Sequence, residues 1–210
     1  MIKKHLKTLI ITSIMTLLPI VAGIYLWNTL PEQIPSHWNV NGEIDGWSSK
    51  PFFVFGLPGI MLAAQWLCVL GTAADPKKAN HSDKVMHLVL WIIPMLSIVL
   101  SAMTYMTVLG HTVRVEMIMP LIIGLVFTII GNYLPKCKQS YTVGIKLPWT
   151  LSSEENWNRT HRFAGRLWLV CGLGIMLTAF IGGFWVFLPI VLVMVLVPTL
   201  YSYILYRKGI

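Results

Sequence analysis

Five stretches of this chain carry no Asp, Glu, Lys or Arg, and their lengths constrain what it can fold into. They hold 24 residues between Lys7 and Glu32, 24 between Lys50 and Asp75, 29 between Lys84 and Arg114, 19 between Glu116 and Lys136, and 40 between Arg166 and Arg207. An α-helix rises 1.5 Å per residue, so about 20 apolar residues cross a hydrocarbon layer of ~30 Å. The first four stretches each hold one span. The last holds two, with Gly182 and Gly183 offering the tight turn between them. The spans are placed at about 8–28, 52–72, 86–109, 117–135, 163–182 and 184–205. Barrel strands alternate polar and apolar residues and these runs do not. The expected fold class is therefore all-α, a polytopic membrane protein with six transmembrane helices.

Composition excludes the soluble alternative. Hydrophobic residues make up 56% of the chain and charged ones only 11%, against roughly a quarter charged in soluble domains. Lys and Arg are also unevenly placed: alternate connections and the two ends hold fourteen, while the opposite connections hold only Lys50 and Arg114. Basic residues stay on the cytoplasmic side, which puts both termini inside. The net charge of +8 is thus a product of topology. Cations beside span ends meet anionic lipid headgroups, and no direct nucleic-acid contact is expected. The lysine-bearing start precedes an apolar run longer than the core of a secretory signal and is read as an uncleaved first span. Of three cysteines, Cys68 and Cys171 fall in spans and Cys137 in an inner loop. Reduced thiols serving as small apolar residues are expected.

Two connections are long enough to carry function. The outer one runs from about Asn28 to Pro51 and the inner one from about Pro135 to Arg162; both mix Pro, Gly and Trp. Such loops are expected to be ordered at the membrane surface. In the inner loop, Ser152 and Glu155 have the spacing of a capping box, predicting a short interfacial helix over about Ser153–His161 that runs into span five. In the outer loop, Asn41, Glu43, Asp45 and Gly46 suggest a calcium loop, but Phe52 stands where the bidentate Glu is needed. Asn41-Gly42 and Asp45-Gly46 read as turns instead. His37 with Glu32, Glu43 and Asp45 has no spacing that demands a metal, so neither metal nor cofactor is expected. His81, Asp83 and His87 are assigned to headgroup contact.

The spans themselves hold little chemistry. Their mid-depth polar residues reduce to Gln65 and scattered Ser and Thr. Ion-coupled transport needs titratable groups there and loses ground. Pro19, Pro58, Pro94, Pro120, Pro189 and Pro198 are expected to kink their helices. No metalloprotease, nucleophile-elbow or phosphate-loop motif is present, so the chain is not expected to be an enzyme.

The two long connections also carry a family likeness. Leu30-Pro31, Ile34-Pro35, His37-Trp38-Asn39, Gly42, Asp45-Gly46 and Lys50 resemble a short membrane domain of unknown function that often precedes SdpI-type domains. Gly131-Asn132-Tyr133, Pro135-Lys136, Lys138, Tyr141, Gly144-Ile145, Pro148-Trp149-Thr150-Leu151, Trp157, Thr160-His161 and Gly165 resemble the signature of the SdpI family. The chain departs at Lys146-Leu147, where the family often has Arg-Thr, and at Ser140, where Asn is frequent. Lysine lacks arginine's planar fork, which bears on any partner contact made there.

The resemblance implies an N-terminal membrane domain over 1–75 and an SdpI-like domain over 76–210 in a bacterial plasma-membrane protein. It also implies immunity against a secreted antimicrobial peptide, together with sequestration of a transcriptional repressor at the membrane. On that reading His37, Trp38, Asn39, Glu43, Asp45 and Trp47 are the peptide-binding candidates. Asn132, Lys136, Lys146, Pro148, Trp149, Trp157, His161 and Arg162 are the candidates for an inner partner. Rival readings are a small-solute transporter or channel, and a membrane sensor with no toxin partner.

Overall fold

The computed structural model describes residues 2–39, 41–181 and 184–210. In chain order it contains α1 (Ile2–Tyr25), strands β1 (Gln33–Trp38) and β2 (Ile44–Ser49), α2 (Leu57–Ala74), α3 (Asp83–Val108), α4 (Val115–Tyr133), a short α5 (Pro148–Ser152), α6 (Glu154–Ile181) and α7 (Phe184–Arg207). Among the described residues, six helices are long and apolar enough to cross a membrane, the number that the charge-free stretches require. The turn expected at Gly182 and Gly183 lies outside the described residues.

Several helices begin earlier than the hydrocarbon length demands. α1 starts at Ile2 and α6 at Glu154, ahead of the anticipated 8 and 163. Membrane thickness sets a minimum length, whereas a helix ends only where its backbone finds other partners. α2 is entered through a single π-helical turn, Phe52–Gly56, in which the Leu57 N–H reaches back to the Phe52 carbonyl. Pro58 follows directly after that turn, inside a helix that runs on from Phe52 to Ala74. Pro19, Pro94, Pro120, Pro189 and Pro198 also lie inside helices.

The chain divides into two compact units: Met1–Ala73 with Met86–Val115, and Ala74–Val85 with Glu116–Ile210. In the first, a buried polar layer joins α1, α2 and α3. Gln65 is 1% exposed; its Nε2 donates to Thr12 Oγ1 at 2.7 Å and its Oε1 accepts from Thr16 Oγ1 at 2.7 Å. Ser97 Oγ donates to the Thr16 carbonyl at 2.8 Å. With both ends of the amide bonded, Gln65 fixes the pairing of α1 with α2 and leaves no polar end facing a pathway. Leu30, Ile34, Phe53, Val54 and Tyr105 form an apolar cluster against which the base of the β-hairpin sits. α1 approaches closely there: a Cβ on Gly23 would lie 2.5 Å from Tyr105 Oη.

In the second unit, α4 and α6 meet backbone to backbone. Gly124 and Gly131 on α4 and Gly165 and Gly172 on α6 share a seven-residue spacing, which keeps each pair on one helix face. A Cβ on Gly131 would fall 2.6 Å from the Leu169 nitrogen, and one on Gly172 would fall 2.6 Å from the Thr128 nitrogen. Small residues supply association in lipid, where burial of apolar surface does not drive it. α7 is tied on by Asn156, whose Nδ2 donates to the Ser202 carbonyl at 3.0 Å while its Oδ1 accepts from Ser202 Oγ at 2.7 Å. Pro198 deprives the Met194 carbonyl of its helical partner, and Trp168 Nε1 donates to that oxygen at 2.9 Å. Outer faces such as Ile10, Ile14 and Val21 on α1 and Leu188, Leu192 and Leu196 on α7 stay exposed, as surfaces covered by lipid do.

Candidate functional site

The two long connections fold by different means. The first is an antiparallel hairpin of β1 and β2, pairing Gln33 with Ser49, Pro35 with Trp47 and Trp38 with Ile44, with register shifts beside His37. Asn39 builds its turn. Its Oδ1 accepts the N–H groups of Asn41 and Glu43 at 2.9 and 3.0 Å, and its Nδ2 donates to Glu43 Oε2 at 2.8 Å. Gly42 takes φ +79° in that turn, and a Cβ on Gly46 would sit 2.8 Å from His37 Cβ. Both glycines are therefore needed for the hairpin to close.

Backbone pairing leaves the hairpin's side chains available. Trp47 is 57% exposed, His37, Glu43 and Asp45 are exposed, and Trp38 is half-buried. His37 Nδ1 lies 2.5 Å from Asp45 Oδ1. Glu43 goes to Asn39 instead, so the carboxylates and the imidazole do not converge on one point. Lys50, at the base, is buried: Nζ donates to the Leu30 carbonyl at 3.1 Å, pairs with Glu32 at 2.8 Å and lies 5.1 Å from the Trp27 ring centre. The hairpin thus exposes Trp47 and the carboxylates of Glu43 and Asp45, with Trp38 half-buried and its own lysine turned inward.

The α4–α6 connection is held by buried side chains. Asp75, 2% exposed, is its anchor. Oδ2 accepts Ser140 Oγ at 2.8 Å, the N–H groups of Tyr141 and Thr142 at 3.0 Å each, and Thr142 Oγ1 at 2.7 Å. Oδ1 accepts the Lys77 N–H at 2.7 Å. His81 Nε2 stands 3.3 Å from Oδ2, its side chain only 3% exposed. Burial pushes this carboxyl's pKa up, but the donors from Thr142, Lys77, Ser140 and Tyr141 outweigh it and hold the group well below the usual carboxylate range.

Beside this clasp, Gln139 Nε2 donates to the carbonyls of Thr150 and Leu151 at 2.8 and 2.9 Å, and Asn80 Nδ2 donates to the Gln139 carbonyl at 2.8 Å. Trp157 and His161 stack with ring centres 4.0 Å apart. Trp157 Nε1 donates to the Cys137 carbonyl at 2.8 Å. His161 Nε2 accepts the Ile145 N–H at 2.9 Å, which leaves the ring proton on Nδ1 to donate to the Trp157 carbonyl at 2.8 Å. Gly144, at φ +121°, packs onto both rings; a Cβ there would lie 2.6 Å from His161 Nε2.

Residues with adjacent sequence positions therefore take different roles. Trp157 and His161 are 0% and 1% exposed; they shape the connection from inside and present no ring to a partner. Asn132, Lys136, Lys146, Pro148 and Arg162 are exposed. Trp149 is half-buried, stacked on Tyr206 at 6.0 Å and edge-on to Tyr203 at 5.5 Å. Cys137 is buried and its thiol is pushed up to about 11, an unreactive state.

The short helix of this connection is α5, at Pro148–Ser152, and the residues expected to form it instead make the first turns of α6. Ser153, rather than Ser152, caps α6, its Oγ accepting the Asn156 N–H at 3.2 Å. Pro148 starts its own turn, with Thr150 Oγ1 accepting the Leu147 N–H at 2.9 Å, and takes in Ser152 as its last residue. Glu155 turns to Arg159 at 2.5 Å and closes no capping box. His81, assigned to headgroups, is used internally at Asp75. His87 is exposed and meets His5 edge-on at 5.3 Å.

Both connections fall within matches to known families. A domain of unknown function, DUF1648, matches residues 14–62, and the SdpI/YfhL protein family matches residues 136–202. The immunity protein SdpI of Bacillus subtilis (strain 168) is 30% identical over 210 residues, covering 97% of this chain and 98% of that protein. The chain belongs to the SdpI/YfhL family. It is a multi-pass, all-α membrane protein of that family. No solved structure matches it. The family match from residue 136 contains Ser140–Thr142 but not Asp75, the carboxylate on which they close. Asp75 escaped the sequence reading because its partners lie 65 to 67 residues away. Its local sign was an acidic residue directly after a span, just ahead of Lys77 and Lys78.

Proposed function

We propose that this protein confers resistance to a secreted, cationic, amphipathic killing peptide, and that it acts by binding rather than catalysis. In this reading it lies in a bacterial plasma membrane with both termini cytoplasmic, as its fourteen-to-two division of Lys and Arg supports. The hairpin then faces outward and the α4–α6 connection inward. The observation that carries the reading is the set of side chains the hairpin leaves available: exposed Trp47, half-buried Trp38, and the exposed carboxylates of Glu43 and Asp45. Aromatic faces and carboxylates attract a cationic amphipathic ligand, which they would hold at the outer interface before it inserts. Full-length similarity to a protein named for immunity supports the same role.

On the inner face, the exposed Lys136, Lys146 and Arg162 form the surface on which a transcriptional repressor is held at the membrane. The experiment is protection of a peptide-sensitive cell by expression of the chain. Trp38→Ala and Asp45→Ala should each weaken protection at unchanged protein level. Full protection by both variants would remove the hairpin from the mechanism.

A further inference from the structure

Asp75 is an expensive residue to keep. A buried carboxylate is stable only when its lone pairs are filled, and here five hydrogen bonds come from four residues: the Lys77 N–H on one side, and Ser140, Tyr141 and Thr142 on the other. Two successive backbone N–H groups and two hydroxyls converging on one carboxylate oxygen, Oδ2, make an anion-binding nest whose anion is supplied by the chain itself. That nest folds the stretch between Lys138 and Lys146, two exposed cations of the connection. Asp75 also directly follows Ala74, the last residue of α2.

We propose that the Asp75 nest is a releasable clasp, and that Asp75 is the positioning residue that sets the form in which the α4–α6 connection presents its basic edge. Clasped, the connection is compact, with Cys137 and the Trp157–His161 stack covered. Released, Ser140–Val143 loses its organising anion and the basic edge loses its fixed shape. The device rests on the reading of this connection as a docking surface for its biological meaning, but not for its existence. A partner that binds only one form is what would couple it to a signal.

The test uses full-length protein in membranes opened so that reagents reach both faces. Trypsin cleavage at Lys136, Lys138 and Lys146 and labelling of Cys137 by a water-soluble maleimide are followed by mass spectrometry. Asp75→Asn keeps the size but replaces one acceptor oxygen by a donor that faces other donors. It should raise both rates at least ten-fold, while cell protection against the peptide and protein level stay at wild-type values. Thr142→Val removes a single hydroxyl donor from the nest and should raise them by a smaller factor, which keeps the test open if Asp75→Asn accumulates poorly. Unchanged cleavage and labelling in both variants would overturn the clasp. If the wild-type chain protects no cell, the resistance reading fails, and the contrast in cleavage still decides the clasp.

Discussion

The hairpin and the α4–α6 connection have similar lengths and similar shares of Trp, Pro and Gly, yet they spend their side chains in opposite ways. In the hairpin, the backbone ladder and the Asn39 turn hold the shape, so Trp47, Glu43 and Asp45 remain at the surface. In the connection, backbone pairing is sparse, and Asp75, Gln139, Trp157 and His161 replace it with buried side-chain bonds. A surface built the first way can change its side chains without losing its fold. One built the second way cannot, and its most eye-catching residues are unavailable for recognition.

That contrast breaks most readily at Trp157. Trp157→Ala removes a fully buried ring, its stack on His161 and its bond to Cys137. A loss of about 3–5 kcal/mol is expected, read as a large drop in melting temperature of the detergent-purified protein. Gly144→Ala comes next, at roughly 1–3 kcal/mol, because a side chain is strained at φ +121° and its Cβ meets both buried rings; the same melt measures it. An equal tolerance of both substitutions would show that the connection is not held from inside.

The pH dependence sharpens the same point. Asp75 is depressed in the folded state, so its stabilising contribution is complete above the unfolded carboxylate value of about 3.9 and is lost as pH falls below it. The difference in melting temperature between wild type and Asp75→Asn should therefore be constant from pH 7 to 5 and shrink only below about pH 4. A difference that fades between pH 7 and 5 would contradict the sign of the shift.

The smallest stability effect belongs to the hairpin. The His37–Asp45 pair is exposed, with side chains 71% and 44% accessible, and such pairs contribute under about 1 kcal/mol. Asp45→Asn should leave the melting temperature nearly unchanged while lowering peptide protection. A melting loss as large as that of Trp157→Ala would erase the distinction between the two regions.

How far the sequence revealed these regions follows from the range of the interactions. Spans are properties of contiguous residues, so charge-free runs located all six. The hairpin strands were not anticipated, because Pro35 in β1 and Gly46 in β2 hide a six-residue strand pattern that pairs only through the fold. His37, Glu43, Asp45 and Trp47, exposed on the hairpin, were already among the candidates that the outer connection offered. Trp157 and His161 were legible as a pair on one helix face, but which way that face points depends on Cys137 and Ile145, 16 to 20 residues away. Asp75 was the least legible, its role being written almost entirely by distant partners.

The central claim is that the hairpin receives the peptide and the clasp does not. It is tested most directly by binding of a fluorescent cationic amphipathic peptide to nanodiscs holding the full chain, compared with empty discs of the same lipid. The account predicts that Trp47→Ala combined with Asp45→Asn lowers the protein-dependent binding at least ten-fold, while Asp75→Asn binds as wild type. Equal binding by all three proteins, or loss confined to Asp75→Asn, would contradict it.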